Sequence, residues 1–182
     1  HRATSSADEK TWSFNLTTEL QNNGALLREA RLEIEEFNYA YAETLDRMDV
    51  NRWVEFFTEN ASYQVIARDN WESGLPLGLI YCEGKAMMKD RAFALLNTEM
   101  YAPRYLHLSI NNTRALSIEE NEIQASANYT LIETLVEEPS KIQQVGKYQD
   151  LFIRDSQNRL KLKQRHCIYD SVMIENCLVF PV

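Results

Sequence analysis

Pro103-Arg-Tyr-Leu-His-Leu-Ser-Ile-Asn-Asn-Thr-Arg-Ala-Leu-Ser-Ile118 is where the hydrophobic period of this chain changes to two. Leu106, Leu108, Ile110, Leu116 and Ile118 share one phase, and Tyr105, His107, Ser109, Asn111 and Thr113 share the other. Successive side chains on a strand point to opposite faces, so this pattern predicts a long strand with one apolar and one polar side. The same period returns three times downstream. Glu119-Glu-Asn121 predicts a turn into a strand that carries Ile123, Ala125, Ala127, Tyr129 and Leu131 at alternate positions. After Glu137-Glu-Pro-Ser140 a third strand is expected over residues 142–154. Asp155-Ser-Gln-Asn158 is a hairpin signal before a fourth, from residue 159 to about 169.

Upstream the period is helical. Leu26, Ala30, Ile34, Phe37, Tyr41, Leu45 and Met48 recur every three or four residues, with Arg28, Glu29, Arg31, Glu35 and Glu36 opposite them. Asp49 is placed to cap a short second helix carrying Trp53, Phe56 and Phe57 on one side. A strand over Ala61-Ser-Tyr-Gln-Val-Ile66, a loop from Asp69 to Gly78 and a short strand Leu79-Ile-Tyr-Cys82 follow. A helix over residues 85–97 is then expected, with Met88, Ala92, Leu95 and Leu96 as its stripe. Helices first and hairpin-linked strands second is the α+β pattern. A curved antiparallel sheet wrapped around the long N-terminal helix would bury both apolar surfaces. Residues 1–23 are polar and aperiodic and read as a flexible arm, leaving 24–182 as a single domain. The chain opens on His1 and has no Met before Met48, as expected where the natural start has been trimmed or replaced.

Composition narrows the function. A formal net charge of −8 argues against nucleic acid, which demands a clustered basic surface. No run of about 18 apolar residues offers a membrane span. Cys82, Cys167 and Cys177 form no Cys-x-x-Cys pair and fit reduced, packed thiols in a cytoplasm.

The inventory for chemistry is thin. Neither Cys-x-His nor Cys-x-x-His occurs, so a Rieske cluster has no ligands here. Apart from His1 there are only His107 and His166, without ligand spacing between them. His166 falls in phase with Leu160, Leu162 and Ile168 and reads as a hydrogen-bonded core histidine. There is no Gly-x-Ser-x-Gly elbow, and Gly84-Lys85 lacks the upstream glycine of a P-loop. The best chemical alternative is a stand-alone acid–base enzyme, a dehydratase or isomerase, with Tyr41, Asp46 and His107 moving protons inside a cavity. Against it stands the plain structural reading: Tyr41 in the core, Asp46 a helix-end carboxylate, and His107 paired across an interface. A third class, a small-ligand binding module, requires an open cavity without a catalytic pair.

Three stretches in the second half carry a resemblance. Arg104-Tyr-Leu-His-Leu-Ser-Ile-Asn111 is similar to the Arg-x-x-His-x-x-x-Asn strand of the β subunits of Rieske-type aromatic-ring-hydroxylating oxygenases. Val145-Gly-Lys-Tyr-Gln-Asp150 with Arg154 resembles that family's Gly-x-Tyr/Arg-x-Asp strand. Arg165, Ile168-Tyr-Asp170 and the close Glu175-Asn-Cys-Leu-Val-Phe-Pro-Val182 resemble its ending. The helical half agrees more loosely, through the Tyr39–Asp46 helix, Trp53 and Asp69-Asn70. Tyr39-Ala-Tyr41 and Tyr169-Asp170 depart from the family's double-acid and Leu-Asp patterns, which leaves the subfamily open. The Asp69–Gly78 loop is similar to small subunits of systems that attack aromatic carboxylates.

The resemblance implies a cone of the nuclear-transport-factor and ketosteroid-isomerase type. It also implies a non-catalytic role, with no cofactor in this chain. The Rieske [2Fe–2S] cluster and mononuclear iron are expected in a large α subunit, within an α3β3 hexamer supplied from NADH by a reductase, in some systems through a ferredoxin. Arg104, His107, Asn111, Asp150, Arg165 and Asp170 are then expected to serve structure or the subunit interface. The polar phase of the Tyr105–Thr113 strand suits hydrogen bonding to a partner, simple solvation, or the lining of a cavity.

Overall fold

In the computed structural model the described residues are 6–97, 102–170 and 180–182, with side chains described from residue 23 onward. The expected long helix is α1 (Ser6–Asp46), which begins well before Leu26, so most of the segment read as an arm is helical. Its buried stripe is Ala30, Ile34, Tyr41 and Leu45, with the polar Asn38 and Thr44 among them. Leu26, counted in that stripe from its spacing, is 54% exposed. Asp49 caps α2 (Val50–Val54) as expected, its side chain accepting from the Arg52 amide. That helix is shorter than its aromatic run suggested, because Phe57 already begins β1 (Phe57–Ala67).

The loop after β1 contains a single helical turn, α3 (Arg68–Glu72), followed by β2 (Gly78–Glu83) and α4 (Gly84–Asn97). Met88, Ala92 and Leu95 of α4 are buried, whereas Leu96 is not. Four long strands complete the sheet: β3 (Arg104–Glu119), β4 (Glu122–Leu135), β5 (Lys141–Arg154) and β6 (Leu160–Tyr169). Their turns include left-handed Glu120 and Asn158.

The fold class is the expected one: α+β, with the N-terminal helix packed on a curved six-stranded sheet. The strand order is β2-β1-β6-β5-β4-β3. The sheet is mixed rather than wholly antiparallel, because β1 and β6 run parallel. Hairpins dictate the direction of β3 through β6, but no short turn joins β1 to β6, so their mutual direction was not encoded locally. Register shifts interrupt all five ladders. Such irregularities add local twist, which lets the sheet curl round α1.

These slips also correct the periodic reading. The β3–β4 register breaks between Asn111 and Arg114, where Asn112 adopts a φ of 52°. One extra residue reverses every side chain beyond it. Thr113, assigned to the polar phase, is therefore buried, and Leu116, assigned to the apolar phase, is 53% exposed. A similar slip in β6 turns Leu162 and Arg165 both inward, although they are three residues apart. His166 then faces out, half-buried against the Trp71 ring at 4.8 Å, rather than lying in the core. Gly146 is required where β5 passes β6: a Cβ there would stand 2.3 Å from the Ile168 carbonyl oxygen and 2.9 Å from the Tyr129 ring.

Candidate functional site

The six residues singled out from the sequence do not converge on one site. Asp150 and Arg165 meet inside the sheet. Arg165 Nε and Nη2 donate to Asp150 Oδ1 and Oδ2 at 2.9 and 2.8 Å, and Nη2 also donates to Asn38 Oδ1 at 2.8 Å. The guanidinium lies between two rings, 4.3 Å from the Tyr41 centroid and 4.1 Å from that of Tyr148. Burial pushes the Asp150 carboxyl up, while Arg165 pulls it back. Burial also opposes the Arg165 charge, but Asp150 more than offsets this, so the guanidinium stays protonated. Arg165 Nη1, Asn38 Nδ2 and the Tyr148 hydroxyl find no partner among the described residues. Such a pair is expensive to break and is held by geometry rather than arranged for turnover.

Aromatic and aliphatic side chains pack the rest of the described interior. Trp53 packs edge-on against Phe57 and Tyr63 at 5.4 and 5.2 Å, and Tyr129 stacks on Tyr148 at 4.5 Å. Val182 is fully buried here: its carbonyl accepts from the Tyr41 and Tyr63 hydroxyls at 3.0 and 3.1 Å, and its amide donates to Tyr63 at 2.9 Å. Trp53 Nε1 donates to the Tyr41 hydroxyl at 2.9 Å. Burial pushes the Tyr41 and Tyr63 phenols and the Cys167 thiol far up, so none is poised to give or take a proton. Cys82 is likewise a buried free thiol, while Cys177 and most of the tail from Glu175 lie outside the described residues.

The proposed acid–base pair does form, but on the surface. Asp46, at the end of α1, accepts from the Leu108 amide at 2.7 Å and meets His107 Nδ1 at 3.1 Å. The His107 side chain is 68% exposed and Tyr41 is not part of this contact, so the trio anticipated for proton transfer is split. Asp46 thus ties the helix end to β3. Along the same strand Arg104 pairs with Glu133 at 2.5 Å, both nearly buried, and Asn111 is exposed beside the Asn112 bulge. Asp170 pairs with Arg68 at the far end of β6.

Among the described residues no three His, Cys, Asp or Glu side chains gather as a metal site. His107 Nδ1 meets Asp46 and His166 Nδ1 meets the Gln164 amide at 3.2 Å. Sequence reasoning missed Asn38, the Tyr41–Tyr148 clamp and the Tyr63–Val182 contacts. The usable signal was Asn38, a polar residue within an apolar helical stripe.

The family described as "Ring hydroxylating beta subunit" matches residues 40–176. The chain is 29% identical over 143 residues to the anthranilate 1,2-dioxygenase small subunit of Burkholderia cepacia, covering 78% of this chain and 88% of that one. It is 27% identical over 152 residues to a terephthalate 1,2-dioxygenase terminal oxygenase β subunit of a Comamonas species, covering 83% and 97%. Among solved structures, one from Novosphingobium aromaticivorans assigned as a β subunit of an aromatic-ring-hydroxylating dioxygenase aligns with a TM-score of 0.79. It is 32% identical and the alignment covers 86% of this chain and 99% of that one. A protein of the same organism assigned as a scytalone dehydratase shares the fold alone, at 17% identity and a TM-score of 0.61, covering 81% and 87%.

Proposed function

The chain belongs to the ring-hydroxylating β-subunit family, the small subunits of oxidoreductase complexes, and from that premise we propose that it is a non-catalytic brace. In this reading it supports a large α subunit that carries the Rieske cluster and the mononuclear iron, in an α3β3 hexamer. The hexamer hydroxylates an aromatic carboxylate using O2 and electrons drawn from NADH through a reductase. Residues 24–182 form the bracing domain, and residues 1–23 extend from it as an arm. The names of the anthranilate and terephthalate relatives support the substrate class, since both substrates are aromatic carboxylates.

One observation carries the bracing role: the inside of the curved sheet, where a stand-alone enzyme of this architecture needs an open cavity, is occupied by Arg165–Asp150, Trp53, Tyr63 and Val182. The competing dehydratase or isomerase reading depends on Asp46 and His107, whose contact is solvent-facing. Co-expression with the gene for the large subunit, followed by native mass determination and iron analysis of each chain, tests the proposal. The expected result is a hexamer with all iron on the large chain. A β chain that ignores every large subunit would overturn it.

A further inference from the structure

The stretch Arg159-Leu-Lys-Leu-Lys-Gln-Arg165 carries four of the chain's 19 lysines and arginines. Three of the four have a carboxylate: Arg165 pairs with Asp150, Lys163 with Glu122 and Arg159 with Asp155. Lys161 does not. Among the described residues it has no carboxylate within ion-pair distance, and its ammonium donates to the Glu55 backbone oxygen. A lysine ammonium has three protons to donate, so two remain for another acceptor. Burial, with Arg159 and Lys85 nearby, holds the Lys161 ammonium below its ordinary value, although Asp155 and Glu55 pull the other way.

Lys161 lines a cleft of about 250 Å³ where α1, the junction of α2 with β1 and the start of β6 meet. Phe37 and Ala40 of α1, with Phe56 and Leu160, give the cleft an apolar wall. The two phenyl rings meet edge to face at 5.1 Å and are only half-buried, so ring surface stays open to the cleft. Arg52 and Arg159 stand beside Lys161 in the lining. Arg52 is exposed and forms no ion pair among the described residues. The one acid in the lining, Glu55, is committed to Lys85 at 3.0 Å. In a chain of net charge −8 this is an apolar, aromatic recess with two uncompensated cations at its margin.

We infer that the cleft is a binding site for a single-ring aromatic carboxylate, its ring against Phe37 and Phe56 and its carboxylate on Lys161 and Arg52. Small-molecule sites combine apolar walls with a few placed polar groups, and this one is smaller than the roughly 300–1,000 Å³ that larger ligands occupy, so it suits one ring. A neutral arene would leave Lys161 without its counter-ion. An aliphatic acid would forgo the contact with the phenyl rings. A ligand here touches α1, α2 and β6 at once, so occupancy stabilises the folded chain. The inference deepens the small-subunit reading, on which it rests for identifying the ligand with the class of compound that the complex hydroxylates.

The test is calorimetric titration and thermal melting of the full chain without the large subunit, so that no other site competes. Benzoate is the probe, with benzamide as its uncharged counterpart and acetate as a carboxylate without a ring. The expected result is saturable, millimolar or tighter binding of benzoate, a matching rise in Tm, and at least tenfold weaker binding of both controls. Arg52→Gln and Lys161→Gln should each weaken benzoate at least fivefold, whereas Lys163→Gln, two residues further along β6, should not. Melts without ligand establish that each variant is folded, and the exposed Arg52 keeps the test sound should Lys161→Gln unfold. Benzoate that does not saturate, that binds no better than benzamide or acetate, or that ignores the Arg52 and Lys161 variants would overturn the inference. Benzoate binding by a chain that joins no large subunit would support the inference while removing the small-subunit reading. A hexamer whose small subunit ignores benzoate would do the reverse.

Discussion

Tyr148 and Gln149 are adjacent on β5 and belong to two different worlds. Tyr148 points in, stacked on Tyr129 and laid against the Arg165 guanidinium. Gln149 points out into a trough floored by other amides and hydroxyls. On the inner side Asp150, Arg165, Asn38, Tyr41 and Tyr63 are committed to fixed partners in a packed interior, and breaking any of these contacts leaves a buried group stranded. On the outer side water can replace a lost contact. The difference separates a face whose polar groups depend on fixed partners from one whose groups can exchange a partner for water.

That contrast can be broken or sharpened by measurement. The largest effect is expected from Asp150→Ala, which leaves Arg165 charged and buried; urea denaturation should show a loss of about 3–5 kcal/mol. Gln149→Ala, one position away, should stay within about 0.5 kcal/mol on the same assay. Equal losses for the two would erase the distinction between the faces. Tyr63→Phe comes next. It deprives the buried Val182 amide of its acceptor and should lower stability by about 1–3 kcal/mol, read as a fall in Tm.

A smaller change is expected from His107→Ala on the edge strand β3. Its exposed contact with Asp46 should be worth about 0.2–1 kcal/mol, and turnover of the assembled oxygenase should be unaffected. A marked loss of turnover in an intact assembly would instead return Asp46 and His107 to the role of an acid–base pair. The subtlest effect concerns His166. Burial depresses its imidazole below the ordinary value of about 6.5, so the folded chain favours the neutral ring. The unfolded chain then binds the proton first as pH drops, and this contribution to stability, present above about pH 6.5, is lost below it. Melting curves from pH 7.5 to 5 should therefore be flatter for His166→Gln than for the parent chain.

Much of this architecture was legible because its local signals agreed. The alternation of Ile123, Ala125, Ala127, Tyr129 and Leu131 survives intact in β4, and Asp49 caps α2 from a single side-chain contact. What was not legible arose from slips of one residue. Nothing in the pattern around Asn111 and Asn112 marked the bulge that exchanges Thr113 for Leu116, and periodicity beyond a bulge is read on the wrong face. Arg165 looked like one charge in an alternating run, yet the slip in β6 carries it to the centre of the molecule. Its pairing with Asp150 could not be derived from spacing, since only the antiparallel register of β5 and β6 sets the two opposite each other. The direction of β1 against β6 lay beyond local signals altogether.

That parallel pair has a consequence in time. The meander from β3 to β6 can grow hairpin by hairpin, each strand finding its neighbour across a short turn. For β1 the partner lies roughly a hundred residues downstream, with Tyr63 set against Arg165 only once β6 exists. Until then one side of β1, with the apolar Ala61, Tyr63 and Val65, is an open edge that other chains can copy. Closing this long-range strand pairing is the expected slow step in folding, and it sets how long each new chain remains vulnerable to aggregation.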